Sequence, residues 1–334
     1  MKYPVTNHYD GKFFFNPTAE NPPGLWRALK MFTSVRFEKW PNVVANHTAL
    51  DLSHPLGPEQ VAVTFVNHAT VLTQVPGLNI LTDPIWSQRA SPFSWVGPQR
   101  VRAPGIEWDA LPKIGLVLIS HNHYDHLDLP TLRKLSRRDR PLILVPLGDK
   151  ALLRSQGIKY LEELDWWDSL PINGESTVTF TPTQHFSGRG LWSRNRSLWG
   201  SYMIHHRGHL IYFGGDSGYS PHYCEIRKRF GSVDLAFLPI GSYAPRWFMK
   251  VVHMNPEEAI QAHLDLQSKQ SIAIHFGTFQ LSAEGLEAPV RELEVARARA
   301  GVAPESFYVL PEGVTRIYSL CSKSLPQAFD KQQD

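Results

Sequence analysis

From residue 61 onward the chain breaks into short apolar runs separated by turn-forming residues. Val61–Val66, Val71–Val75 and Leu78–Thr82 predict a strand meander, with Pro76-Gly77 as a turn. Leu116–Ser120, Leu142–Val145, Thr177–Thr181, Tyr202–His206, His209–Phe213, Leu235–Ile240, Ile272–Phe276 and Phe307–Leu310 predict further strands. Helical segments are expected at Leu129–Arg138, Lys150–Gln156, Asn255–Gln267 and Gly285–Ala300. The third is the best marked, with Asn255 as N-cap, Pro256 at the first helical position and Glu258 placed to complete a capping box. Strands first, then strands alternating with helices, predict sheets covered by helices, an α/β (α+β) architecture. No low-complexity segment, short-period repeat or linker interrupts the body, so residues 61–334 read as one compact domain. Residues 1–60 have little periodicity and several prolines, and read as an extension packed on the core or facing a membrane.

Composition narrows the class. An apolar share of 42% over 334 residues supports a sizeable core. With 34 basic and 31 acidic residues the net charge is +3, which argues against a dedicated nucleic-acid binder with a strongly basic face. Cys224 and Cys321 make no disulfide framework and fit a reducing compartment. The first ten residues lack the apolar core of a signal peptide, and no run approaches the roughly 18 to 20 apolar residues of a spanning helix. The expected location is cytoplasmic, with peripheral membrane association.

The chemistry concentrates at His121-Asn122-His123-Tyr124-Asp125-His126, which ends the apolar run Gly115–Ser120. Three imidazoles and a carboxylate at the end of a buried strand are costly as core, and they are the N/O donors that zinc and similar divalent ions take. In an extended segment His121 and His123 point the same way, while a tight turn swings Asp125 and His126 to a neighbouring position. That geometry supplies two adjacent metals. Further donors stand at other strand ends: His185 after Val178–Pro182, Asp216 in Gly214-Gly215-Asp216-Ser217-Gly218, and His275 after Ile272–Ile274. Taken singly, a lone histidine after a strand is more often a hydrogen-bonded core residue than a ligand. His205, His206 and His209 fall in an expected hairpin and read as surface.

The His-x-His-x-Asp-His pattern, followed in order by a histidine, an aspartate and a histidine, resembles the metallo-β-lactamase superfamily. Val66–Leu72 and Leu81–Ile85 resemble the subgroup that contains the ascorbate-phosphate lactonases and N-acylphosphatidylethanolamine phospholipase D, and Leu198–Ser201, Ala244–Lys250, Asn255–Ala259 and Ile274–Phe279 resemble the phospholipase D-like branch. The resemblance implies a four-layer αβ/βα sandwich with two central mixed sheets. It implies that His121, His123 and His185 hold one ion, that Asp125, His126 and His275 hold the other, and that Asp216 bridges them. Two divalent ions, with zinc as the expected metal, would lower the pKa of a shared water and clamp the phosphoryl oxygens of a lipid phosphodiester. Asp125, Asp216 and His253 are the expected catalytic group, with His253 touching the phosphate or protonating the leaving group. Substrate contacts are expected from His68, Arg246, Trp192 and Trp199, the two tryptophans lining an acyl groove.

Leu25–Trp40 interleaves aromatic and basic residues and suits an interfacial segment, although the same stripe fits a helix packed on its own domain. The expected partners are therefore a phospholipid substrate and a membrane surface, with no nucleic acid and with a homodimer left open. The alternative is a lactonase or other ester hydrolase acting on a soluble, sugar-phosphate-like substrate. A non-catalytic scaffold is disfavoured, since it has no need of all seven donors.

Overall fold

The computed structural model describes residues 3–18, 24, 30–31, 33–46, 52, 55–190 and 192–319. Its strands form two seven-stranded sheets. The first runs β14-β1-β2-β3-β4-β5-β6, built from β1 (Gln60–Asn67), β2 (Thr70–Val75), β3 (Leu78–Thr82), β4 (Leu116–Leu118), β5 (Leu142–Pro146), β6 (Leu161–Leu164) and β14 (Thr315–Ser319). The second runs β13-β12-β11-β10-β9-β8-β7, from β7 (Ser169–Asn173), β8 (Ser176–Thr181), β9 (Ser201–His206), β10 (His209–Phe213), β11 (Leu235–Pro239), β12 (Gln270–Ile274) and β13 (Phe307–Tyr308). Both are mixed. β14 to β3 pair antiparallel and β3 to β6 parallel, while β7 to β10 pair antiparallel and β10 to β13 parallel.

Alternation along each strand decides which residue faces which layer. Val61, Val63 and Phe65 of β1, Leu116 and Leu118 of β4, Ile211 and Phe213 of β10 and Leu235 and Phe237 of β11 share one core between the sheets. The intervening residues face outward under helices. Val117, Ile143 and Val145 pack against Leu132 and Leu135 of α1 (Leu129–Arg138) and Leu153 of α2 (Lys150–Ser155). Tyr212, Ala236, Leu238 and Ala273 pack against α3 (His222–Phe230), α5 (Pro256–Asp265) and α6 (Ala288–Arg299). A one-turn helix, α4 (Arg246–Met249), lies between β11 and α5. This double coverage explains why the central strands are apolar at consecutive positions. The αβ/βα sandwich implied by the resemblance is the architecture found.

The described part of the N-terminal extension lies against the core. The Phe14 N–H donates to the Asn195 carbonyl at 2.8 Å, and His8 Nε2 stands 2.7 Å from Asp165 Oδ1. Trp40 Nε1–H donates to the Glu284 carbonyl at 2.9 Å. Leu25, Trp26, Leu29 and Phe32, which carry most of the expected interfacial stripe, lie outside the described residues. Among the described residues no helix is long and apolar enough to cross a membrane. The His205–His209 region does form a hairpin, but it is not a surface cluster. His206 and His209 are buried, and His206 Nδ1 stands 2.8 Å from Ser176 Oγ, because the β8–β9–β10 pairing covers them.

Candidate metal centre

Each donor stands just past the end of a strand, where the two sheets open toward the same edge. His121 follows β4, His185 follows β8, Asp216 follows β10 and His275 follows β12. The carboxyl ends of parallel strands are the usual place for such a site. The turn after His121 closes with His126 N–H and Leu127 N–H donating to the His123 carbonyl, at 3.2 and 2.9 Å. It brings His123 Nδ1 to 2.8 Å from His121 Nε2 and to 3.3 Å from His185 Nε2. Asp125 Oδ2 lies 3.2 Å from His126 Nε2 and 3.4 Å from His275 Nε2. Asp216 Oδ2 reaches both groups, at 3.2 and 3.1 Å from His126 and His275 Nε2 and at 3.9 and 3.7 Å from His121 and His185 Nε2. Gly215 makes this approach possible. It sits at a φ of 55°, and a Cβ there would come within 2.6 Å of Ser120 Cβ. His68 and His275 hold positive φ values of 48° and 60°, and the His275 N–H donates to the His68 carbonyl at 2.7 Å. Such strain is retained where neighbouring structure fixes the side chain.

The hydrogen bonds around the rings decide which nitrogens bear lone pairs. His185 Nδ1 faces the Val252 carbonyl at 2.9 Å, so Nδ1 carries the hydrogen and Nε2 is bare. His126 Nδ1 faces the Asp83 carboxylate at 2.6 Å, which leaves its Nε2 bare whenever the ring is neutral. His126 Nε2 and His275 Nε2 are buried with no hydrogen-bond partner among the described residues. Burial, with neighbouring imidazoles, pushes His121 well below the ordinary histidine value and His123 down to about 3. Burial also takes His185 down to about 4. These rings are neutral, as ligands must be. Burial also lowers His126 and His275, but Asp216 and Asp125 outweigh it, holding His126 well above the ordinary value and His275 at about 9. Burial likewise opposes ionisation of Asp125 and Asp216, yet the facing rings keep both carboxyls well below the carboxylate range. Imidazole donors and two anionic carboxylates converge in a buried volume, and these residues fit two divalent ions once His126 and His275 release their protons.

The β-lactamase superfamily domain model matches residues 78–276, which hold every one of these donors. The chain belongs to the β-lactamase superfamily. Within it, an N-acyl-phosphatidylethanolamine-hydrolyzing phospholipase D of Caenorhabditis elegans is 33% identical over 335 residues, covering 93% of each chain. The chain therefore sits in the branch that this relative represents. An uncharacterized protein of Mycobacterium tuberculosis is 41% identical over 288 residues, covering 80% of this chain and 75% of its own. A solved metallo hydrolase from the archaeon Ignicoccus hospitalis superposes with a TM-score of 0.59 at 20% identity, covering 78% of this chain and 100% of that one. That likeness concerns the fold alone. Superfamily membership and the donor set together make the chain a metal-dependent hydrolase.

Around the converging donors, the other expected site residues take varied places. His68 Nε2 stands 2.9 Å from Asp125 Oδ2, and its ring lies 4.1 Å from that of His275, so it props the metal loop rather than facing open space. His253 is buried, with Nδ1 3.8 Å from Asp216 Oδ2 and without a hydrogen-bond partner among the described residues. Arg246 turns away from the donors. Its guanidinium donates to Glu258 Oε2 at 2.6 Å and to the His253 carbonyl at 2.8 Å, so it fixes the backbone of His253 and closes on the α5 cap. Trp199 lines no groove: it is 1% exposed within the inter-sheet core, and its Nε1–H donates to Asn16 Oδ1 and the Thr183 carbonyl. Trp192 is the opposite case, 85% exposed. One residue was given no role by the sequence reading. Asp83, fully buried, accepts from the Ser120 N–H at 2.7 Å and the Ser120 hydroxyl at 2.6 Å while holding His126. The signal was its place in Leu81-Thr82-Asp83-Pro84, a charged residue at the end of an apolar strand.

Proposed function

We propose that the centre catalyses phospholipase D-type hydrolysis of N-acylphosphatidylethanolamine, giving N-acylethanolamine and phosphatidic acid. The observation that carries this reading is the relation across 93% of both chains to the C. elegans protein named for that reaction. The all-histidine and carboxylate donor set favours zinc among common divalent ions. Two such ions, when bound, would supply Lewis-acidic clamps for phosphoryl oxygens and a water acidic enough to attack at neutral pH. The chain's own residues do the rest. His121, His123 and His185 present one set of donors, Asp125, His126 and His275 the other, and the Asp83 and Val252 contacts hold His126 and His185 in the required tautomer. As water attacks phosphorus and the bond to the ethanolamine oxygen breaks, one proton must travel from the nucleophile to the leaving alkoxide. Asp216 Oδ1, buried and without a hydrogen-bond partner among the described residues, would relay it only in passing, since the facing rings hold this carboxyl well below the carboxylate range. His253, adjacent to Asp216 and held in place through its carbonyl by Arg246, is placed to contact a phosphate oxygen or the departing oxygen.

The test is hydrolysis of N-acylphosphatidylethanolamine and phosphatidylcholine in mixed micelles by protein of measured metal content. Release of N-acylethanolamine, with little or no choline released, is expected. Failure to cleave either lipid, together with turnover of a soluble lactone, would move the assignment to an ester hydrolase.

A further inference from the structure

We propose that two neighbouring segments, residues 91–97 and the described residues 189–190 and 192–196, form a docking surface for an anionic phospholipid bilayer. The proposal deepens the phospholipase reading by naming the surface from which substrate would be drawn. Phe93, Trp95 and Val96 are 53, 74 and 44% exposed, and Trp192 is 85% exposed. The Phe93 and Trp95 rings lie 5.5 Å apart. Isolated exposed apolar residues are ordinary on a protein surface, but a set of large aromatics concentrated on two loop tips is not.

The two loops belong to one region beside the metal centre. Ser91 and Pro92 of the first, and Arg189 and Ser193 of the second, line one cavity of about 620 Å³ together with Tyr124. Tyr124 lies between the donors His123 and Asp125, and its hydroxyl donates to the Arg189 carbonyl at 2.6 Å. Phe186–Gly188 link His185 to the second loop: the Phe186 ring stands 4.5 Å from that of His123, and the Arg194 guanidinium lies 4.8 Å from Phe186. Trp192, Phe13 and Phe15 line a second cleft of about 860 Å³ with Lys12, Arg194 and Arg196. The carboxylate in that cleft, Asp10, already accepts from the Lys12 and Phe13 N–H groups, each at 2.7 Å. Arg189 and Arg196 border the first cavity. Trp192 in a cleft with Lys12, Arg194 and Arg196, beside a segment that exposes the Phe93–Trp95 pair, matches an interface of acyl chains beneath anionic headgroups. The same charges disfavour a neutral apolar protein partner.

Cosedimentation with vesicles of equimolar phosphatidylcholine and phosphatidylglycerol, against phosphatidylcholine alone, tests the surface without any turnover. The wild-type chain is expected to favour the anionic vesicles, and salt to weaken that preference. Phe93→Ser/Trp95→Ser/Trp192→Ser should lower partitioning by at least about tenfold with an unchanged melting midpoint, since the rings are exposed. Lys12→Glu/Arg196→Glu should abolish the preference for anionic vesicles. Partitioning of the triple variant within about twofold of wild type would overturn the proposal, as would equal wild-type binding to both vesicles. So would loss of binding by Trp26→Ser/Phe32→Ser alone. A protein that binds vesicles but leaves N-acylphosphatidylethanolamine intact in micelles would refute only the phospholipase reading. Micellar hydrolysis without vesicle binding would refute only this one.

Discussion

His185 and His126 each have Nδ1 committed to an acceptor, which leaves Nε2 as the atom a cation would take. His121→Ala and His185→Ala should each leave less than about a tenth of wild-type turnover while the metal-free chain keeps its circular dichroism spectrum, because the strands are built by apolar burial. Asp83 acts one step behind the donors. Asp83→Ala should weaken metal affinity by about 10- to 100-fold, read by competition with a chelator, because His126 loses the acceptor that fixes its tautomer. The ring protons give a third test. His275 is held at about 9 and His126 well above the ordinary value, so at neutral pH the metal-free chain carries protons that an ion must displace. Metal binding should therefore release about one to two protons, and affinity should fall as pH drops and those protons are held more firmly. Titration calorimetry in two buffers of unlike ionisation enthalpy measures the release; identical heats would refute it.

At the scale of elements, α5 begins with a complete capping box: the Glu258 N–H donates to Asn255 Oδ1 at 3.0 Å, and the Asn255 N–H to Glu258 Oε2 at 3.3 Å. Asn255→Ala should cost about 1 kcal/mol, seen as a lower urea midpoint with an unchanged slope. That helix start was legible because a cap is a local pattern, written in residues three apart. Other elements were not. Leu161-Glu162-Glu163-Leu164, Ser169–Asn173 with Pro171 inside it, and Thr315–Ser319 were missed as strands. All three are edge strands, β6, β7 and β14, where one side lacks a partner and polar residues and proline are tolerated. Their strand character comes from the neighbour they pair with, not from their own alternation. The helix His222–Phe230 also escaped, since it lacks a side-chain cap and buries few apolar residues, Tyr223 and Ile226 among them.

At the scale of the whole molecule, one core joins the two sheets, and Phe237 lies fully buried within it. Phe237→Ala should destabilise the fold by about 3–5 kcal/mol, and both sheets should still unfold together in one transition by fluorescence and circular dichroism. Separate transitions would show that the sheets are independent. The sequence by itself determined what neighbours in the chain can determine. Apolar runs marked the central strands, the cap marked α5, and the His121–His126 turn placed four donors side by side, because spacing and period act over a few residues. The partnership with His185, Asp216 and His275 was visible only as an order shared with a family, since nothing local distinguishes those residues from satisfied core groups. Tertiary structure decided the rest. Parallel pairing of β10, β11 and β12 puts Asp216 and His275 at one edge, and packing of the two sheets brings that edge to β4 and His121. The same packing buried Trp199, covered His206 and His209, and turned Arg246 onto Glu258. Which side chain meets water, a metal or the core depends on what the remote chain places against it, and no local pattern carries that information.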